Sequence, residues 1–156
     1  MDTAIQSLRD GFKQVLAEQH DAWRQVLDGL SAEALNWSPG PEMNSLAVLV
    51  THSLGAEEFL IATAVGEAVQ RDREAEFRAE APDVATLLRL IDESSARTAE
   101  LLDRVTAEDL SAIRQPAGDR LNRRHPGIWW LLHAVEHSRE HLGQALLTRQ
   151  LYESRS

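Results

Sequence analysis

Apolar residues in this chain recur every three or four positions through four long stretches and nowhere alternate strictly with polar ones, a periodicity that suits helices packed face to face. In the first stretch Ile5, Leu8, Phe12, Val15, Leu16, Trp23, Val26, Leu27 and Leu30 keep helical spacing. Thr3 and Gln6 are spaced as a capping box, so a helix is predicted to about residue 30. Two prolines and a glycine within 39–41 then force a turn, preceded by a short helical turn at 31–35.

A second helix is expected from an Asn44 or Ser45 cap to near Gly66. On its wheel Val48, Leu49, His52, Ala56, Phe59 and Thr63 share a sector, while Glu57 and Glu58 point elsewhere, which puts His52 on the buried side. The apolar run 46–65 contains His52, Glu57 and Glu58 and is read as a buried helix, not a membrane span. Residues 67–81 are densely charged and read as a solvated connection or an exposed helical extension, where no functional part is expected. Pro82 and Asp83 open a third helix ending near Val105, and Pro126-Gly127 opens a fourth that runs to Tyr152.

The resulting expectation is an all-α four-helix bundle, one domain over residues 1–156. An echo of LSAEALNWSPGP (30–41) in VTAEDLSAIRQP (105–116) suggests two helix-turn-helix halves, each a long helix, a turn and a histidine-bearing helix.

Composition narrows the chemistry. The chain has no cysteine, which removes disulfides, thiolate ligands and a cysteine nucleophile. Its formal net charge is -9 and its one basic cluster is RLNRR at 120–124, so nucleic acid is not expected as a partner. With no secretory signal pattern at the N-terminus, a cytoplasmic location is expected, and no membrane association. There is no G-x-S-x-G elbow and no glycine-rich phosphate loop.

The histidines carry the chemical signal. His133, His137 and His141 recur every fourth residue, and a step of four on a helix advances only about 40°, so they form one stripe. His137 and His141 fall beside Trp130 and Ala134, away from the charged residues Glu136, Arg139 and Glu140. Neutral imidazoles at i and i+4 can grip one ion, and His52 from the second helix can supply a further ligand, leaving an open position for a small-molecule substrate. His20 and His125 read as ordinary hydrogen-bonded histidines. His137 to His141 formally matches H-x-x-E-H, but little chain follows to supply the other ligands of that protease class, and Glu140 lies in the charged sector. Tryptophans are more often core or interface than a substrate cage, but Trp129 and Trp130 adjoin the stripe and one of them could wall a pocket.

Two segments, LNWSPGPEMNSLAVLVTHSLGAEEF (35–59) and LLHAVEHSREHLGQALL (131–147), resemble the DinB/YfiT-like superfamily of metalloenzymes. The order also matches: a single histidine on the second long helix and a paired-histidine helix ending in H-x-G-Q. The resemblance implies a four-helix bundle, often dimeric, with a divalent metal, zinc or nickel foremost, on His52, His137 and His141. Where the family often has H-R-G-Q, this chain has His141-Leu142-Gly143-Gln144. His133 is then the spare histidine, packing beside the ligands or replacing His141.

Characterised members use low-molecular-weight thiols such as mycothiol or bacillithiol. The resemblance therefore implies a metal-dependent transferase that activates a thiol for S-transfer to, or isomerisation of, a small electrophile. A metal-dependent hydrolase uses the same ligands, and no acid/base carboxylate is evident beside the histidines, which leaves room for a non-catalytic metal- or ligand-binding bundle.

Overall fold

The computed structural model describes residues 2–155. Its long helices are α1 (Thr3–Leu27), α3 (Leu46–Ala64), α5 (Val84–Asp103) and α7 (Gly127–Glu153); α2 (Ala32–Asn36), α4 (Arg73–Glu76) and α6 (Ala107–Ser111) are short. The four-helix bundle expected from periodicity is the one observed, and the echoed sequences occupy equivalent places. Ser31 caps α2 by accepting from Ala34 N, and Thr106 caps α6 by accepting from Asp109 N. Each half is thus a long helix, a capped five-residue helix and a second long helix.

Helix ends depart from expectation where a better cap competes. Asp2, not Thr3, caps α1, because its carboxylate accepts from both Ala4 N and Ile5 N and complements the helix dipole. The helix stops at Leu27, since Gly29 adopts a left-handed φ of 72°. At the end of α3, Gly66 has φ 74° and Glu67 N reaches back to Ala62 O, so the expected terminal glycine closes a Schellman turn. Contrary to the strand-free expectation, Ile113–Arg114 (β1) pairs antiparallel with His125–Pro126 (β2). Two residues are too few to show an alternating pattern, yet the pairing ties off a loop over 115–124.

Two apolar clusters fill the bundle. One gathers Trp23, Leu27, Leu54, Ile91 and Leu142; the other gathers Leu16, Phe59, Leu101, Trp130 and Ala134. From the second cluster to the first, residue numbers rise along α1 and α7 and fall along α3 and α5, so the helices run up, down, down, up. The long 65–83 connection follows from that order, because it must carry the chain between two parallel helices. α3 is long and apolar enough to cross a membrane by composition, but 83% of its most apolar window is buried against the other helices.

Between the clusters lies a polar layer. His20 Nε2 meets Glu57 Oε2 at 2.7 Å with both side chains essentially inaccessible, and Ser53 Oγ lies 3.5 Å from Ser138 Oγ. His20 is the hydrogen-bonded core histidine that was expected. Glu57 corrects the expectation that it points away from the core: α3 is buried nearly all round, so its carboxylate faces His20.

Candidate metal centre and cavity

The i,i+4 spacing on α7 brings His137 Nε2 within 3.2 Å of His141 Nε2. His52, on the facing side of α3, packs edge-on against both rings, with centroids 5.1 and 4.9 Å away. One nitrogen from each of the three lies within 4.8 Å of the others, a grouping that could hold a metal ion. His52 is buried, while His137 and His141 are half-buried.

Hydrogen bonds set which nitrogens face inward. Glu76 Oε1 lies 3.0 Å from His52 Nδ1, and a carboxylate can only accept, so Nδ1 carries the hydrogen and Nε2 keeps its lone pair. An Arg71 nitrogen stands 3.4 Å from the same atom but is itself a donor, which leaves Glu76 as the partner. Arg71 holds that carboxylate through two further bonds, Nε to Oε2 at 2.8 Å and Nη2 to Oε1 at 2.7 Å. Burial pushes the Glu76 carboxyl up, but the His52 and Arg71 bonds outweigh it and hold it below the usual range, so Glu76 stays ionised. His141 Nδ1 is engaged in the same way by Gln144 Oε1 at 2.8 Å, which leaves Nε2 free. Its burial lowers the His141 pKa.

His137 is held differently. Its Nδ1 is buried without a partner, and burial, followed by its His141 and His52 neighbours, lowers its pKa to about 3. The two facing nitrogens of His137 and His141 are about as far apart as two tetrahedral ligands on zinc, roughly 3.3 Å for Zn–N bonds of about 2.0–2.1 Å. Two lone pairs at that separation repel unless a cation or a proton lies between them. The donor set therefore fits a divalent transition metal bound through imidazole.

The densely charged 67–81 segment is not the inert connection the sequence suggested. It delivers Arg71 and Glu76 to the site, and Glu76 is the carboxylate beside the histidines that the sequence did not reveal. Asn36 fixes the segment's end, donating to Ala81 O and accepting from Ala81 N at 2.8 Å each. Gly55 makes the room, because a Cβ there would overlap the Glu76 carboxylate.

A cavity of about 800 Å³ opens from this centre. His52, His133 and His137 line one side, Ala56, Phe59, Leu60 and Thr63 of α3 another, and residues 66–71 and 113–121 with Arg73 and Arg123 the rest. His133 thus shares the cavity but not the three-nitrogen cluster. Its Nε2 takes a hydrogen bond from Arg123 Nη1 at 3.2 Å. Trp129 and Trp130 do not line the cavity, correcting the expectation of an indole wall. Trp130 is fully buried and donates to His125 O. Trp129 stacks between His125 and His133, at 3.8 and 4.7 Å, and so supports His133 from behind.

A sequence model of the DinB superfamily matches residues 15–145. The chain belongs to the DinB superfamily. Among solved structures, a DinB-like protein from Bacillus cereus superposes with a TM-score of 0.72 at 20% identity, over 92% of each chain. A conserved protein from Enterococcus faecalis gives 0.75 at 17% identity, over 94% of this chain and 97% of the other. A DinB-like protein from Bacillus subtilis gives 0.67 at 18% identity, over 92% and 94%. At such identities these neighbours speak for the bundle alone. No curated protein matches the chain. The superfamily resemblance read from 35–59 and 131–147 therefore holds, and the H-x-G-Q ending gains a physical reason, since Gln144 orients His141.

Proposed function

We propose that this DinB superfamily chain is a divalent-metal-dependent enzyme that activates a low-molecular-weight thiol for transfer to, or isomerisation of, a small electrophile. The observation that carries this reading is the convergence of three imidazoles, two with their outer nitrogens already engaged, of which His52 and His137 line a cavity of about 800 Å³. That volume lies within the range of small-molecule sites and leaves room for a thiol and an electrophile together.

A bound divalent cation would lower the pKa of a thiol and stabilise the thiolate. The protein's own part is to hold the cation through His52, His137 and His141. Glu76 and Gln144 keep two of these rings oriented, and the apolar wall of Ala56, Phe59 and Leu60 excludes water from the electrophile. Glu76 is committed to three donors and held ionised by them, which makes it an orienting group and a poor proton acceptor. No comparable feature favours hydrolysis.

Metal content of the purified wild type, His52→Ala and His137→Ala proteins tests the reading. About one zinc or nickel per chain is expected in the wild type and a large loss in both variants, with thiol-dependent turnover of a generic electrophile by the wild type. No stoichiometric metal would overturn the proposal, and metal without thiol-dependent turnover would redirect it to hydrolysis or binding. The homodimer that the resemblance implies would use the outer face of α7, where Leu132 and Leu147 are 57% and 56% exposed. Sedimentation of the wild type and Leu147→Glu would test that assembly.

A further inference from the structure

We infer that Arg73 and Arg120 form an oxyanion subsite in the cavity, so that the small molecule entering the metal centre carries a carboxylate or phosphate. Five arginines line the cavity: Arg71, Arg73, Arg114, Arg120 and Arg123. Three are neutralised, Arg71 by Glu76, Arg114 by Asp109 and Arg123 by Asp119, at 2.7 to 2.8 Å. The acidic lining residues are also taken: Asp119 by Arg123, and Glu67 by Arg97 and Arg104. Among the described residues no carboxylate lies within ion-pair distance of Arg73 or Arg120. The cavity wall therefore keeps two guanidinium groups with no direct carboxylate partner, Arg73 half-buried and Arg120 at the exposed rim, in a chain whose net charge is -9.

Their position ties them to the metal centre. The Arg73 guanidinium lies 4.7 Å over the Phe77 ring, and that ring packs 4.5 Å from the His52 imidazole. Arg73 is half-buried, and burial together with the nearby charges of Arg120 and Arg71 disfavours its charged form, against an opposing pull from the more distant Glu76 and Glu74 carboxylates. Two like charges on the wall of one cavity are relieved by an anion that reaches both. Planar guanidinium groups are suited to paired hydrogen bonds with carboxylate or phosphate oxygens.

This subsite deepens the thiol reading, since it states what the thiol or electrophile must carry, but anion binding by the arginine pair does not itself depend on the metal. The test therefore has two arms. Calorimetry on chelator-treated protein, with succinate and with inorganic phosphate, reads the arginine pair alone. Titration of cobalt-loaded protein with mercaptosuccinate, 2-mercaptoethanol and cysteamine reads the thiol-to-cobalt absorption band.

In the first arm the wild type is expected to bind at least one of the two anions, more weakly as salt is raised, and R73Q/R120Q to bind neither. Which anion binds better distinguishes a carboxylate from a phosphate ligand. In the second arm half-saturation by mercaptosuccinate is expected at a concentration tenfold or more below that of 2-mercaptoethanol, with cysteamine weakest, and the ratio should fall to about one in R73Q/R120Q. R73K/R120K, which keeps the charge but not the fork, should retain part of the anion binding.

Absence of binding by both anions, or binding undiminished in R73Q/R120Q, would overturn the subsite. So would equal loss in the Lys and Gln variants accompanied by a lowered melting temperature, which would mark the arginines as packing groups. If cobalt fails to bind, the thiol reading falls, and the calorimetric arm still decides the arginine pair.

Discussion

Glu76 Oε1 accepts a hydrogen bond from His52 Nδ1 at 3.0 Å while Arg71 grips the same carboxylate through two nitrogens. The imidazole is thereby fixed in the tautomer whose free nitrogen faces His137 and His141, by a residue 24 positions away on a different element. Partners of this kind set both the orientation and the basicity of a metal-binding histidine.

Glu76→Gln is accordingly expected to weaken metal binding by about 10- to 100-fold while leaving the ligands in place. The amide can still accept from His52 but loses its charge and its paired hold on Arg71. Competition with a calibrated chelator measures the change, and an affinity equal to wild type would remove Glu76 from the site.

Gly55→Ala offers the same test from the opposite side. The new Cβ would occupy the space of the Glu76 carboxylate, and that carboxylate is pinned by Arg71 and cannot simply swing away. Metal affinity should fall in the same range as for Glu76→Gln, and the two changes together should cost little more than either alone, because both break one contact. Full additivity in the chelator assay would contradict a shared cause.

Much of this arrangement was legible in the sequence, and the part that was not has a common reason. The long helices could be read because their periodicity persists over many turns, and the His137–His141 pair because one helix fixes its spacing. His52 joined them through its place on the buried sector of α3. Glu76 and Arg71 escaped notice because a run as charged as 67–81 looks solvated on its own. Only tertiary features, the Asn36–Ala81 bonds and the gap at Gly55, turn it inward. Glu57 was placed outside because a wheel assigns charge to solvent. A helix as apolar as α3 instead obliges any polar residue on it to find a buried partner, and His20 on α1 supplies one.

The metal-free protein should lose stability as pH falls from about 7 toward 4. Burial and neighbouring imidazoles lower the His137 pKa from 6.5 in the unfolded chain to about 3 in the fold. Between those values the unfolded state binds a proton that the native state refuses, so the slope of unfolding free energy against pH is positive. His141 is lowered as well and acts in the same direction. Denaturant midpoints of chelator-treated protein at pH 7 and pH 5 should therefore differ, with a smaller difference in His137→Leu. A midpoint unchanged over that range would show that the imidazoles gain no proton on unfolding.

The His20–Glu57 pair gives the bundle a buried polar element separate from the three-imidazole cluster. Both side chains are essentially inaccessible and meet at 2.7 Å, between two apolar clusters. Removing one partner leaves the other buried and unpaired, so His20→Leu and Glu57→Leu are each expected to destabilise the fold by about 3–5 kcal/mol. The double variant replaces the pair with apolar groups that join the adjoining clusters, and it should recover most of that loss. Chemical denaturation of the four proteins closes the cycle, with a strongly favourable coupling expected between the two sites. Metal stoichiometry should be preserved in the double variant, because neither residue contributes to the three-nitrogen cluster. Losses that simply add would show that each residue acts through its own surroundings and not through the 2.7 Å contact.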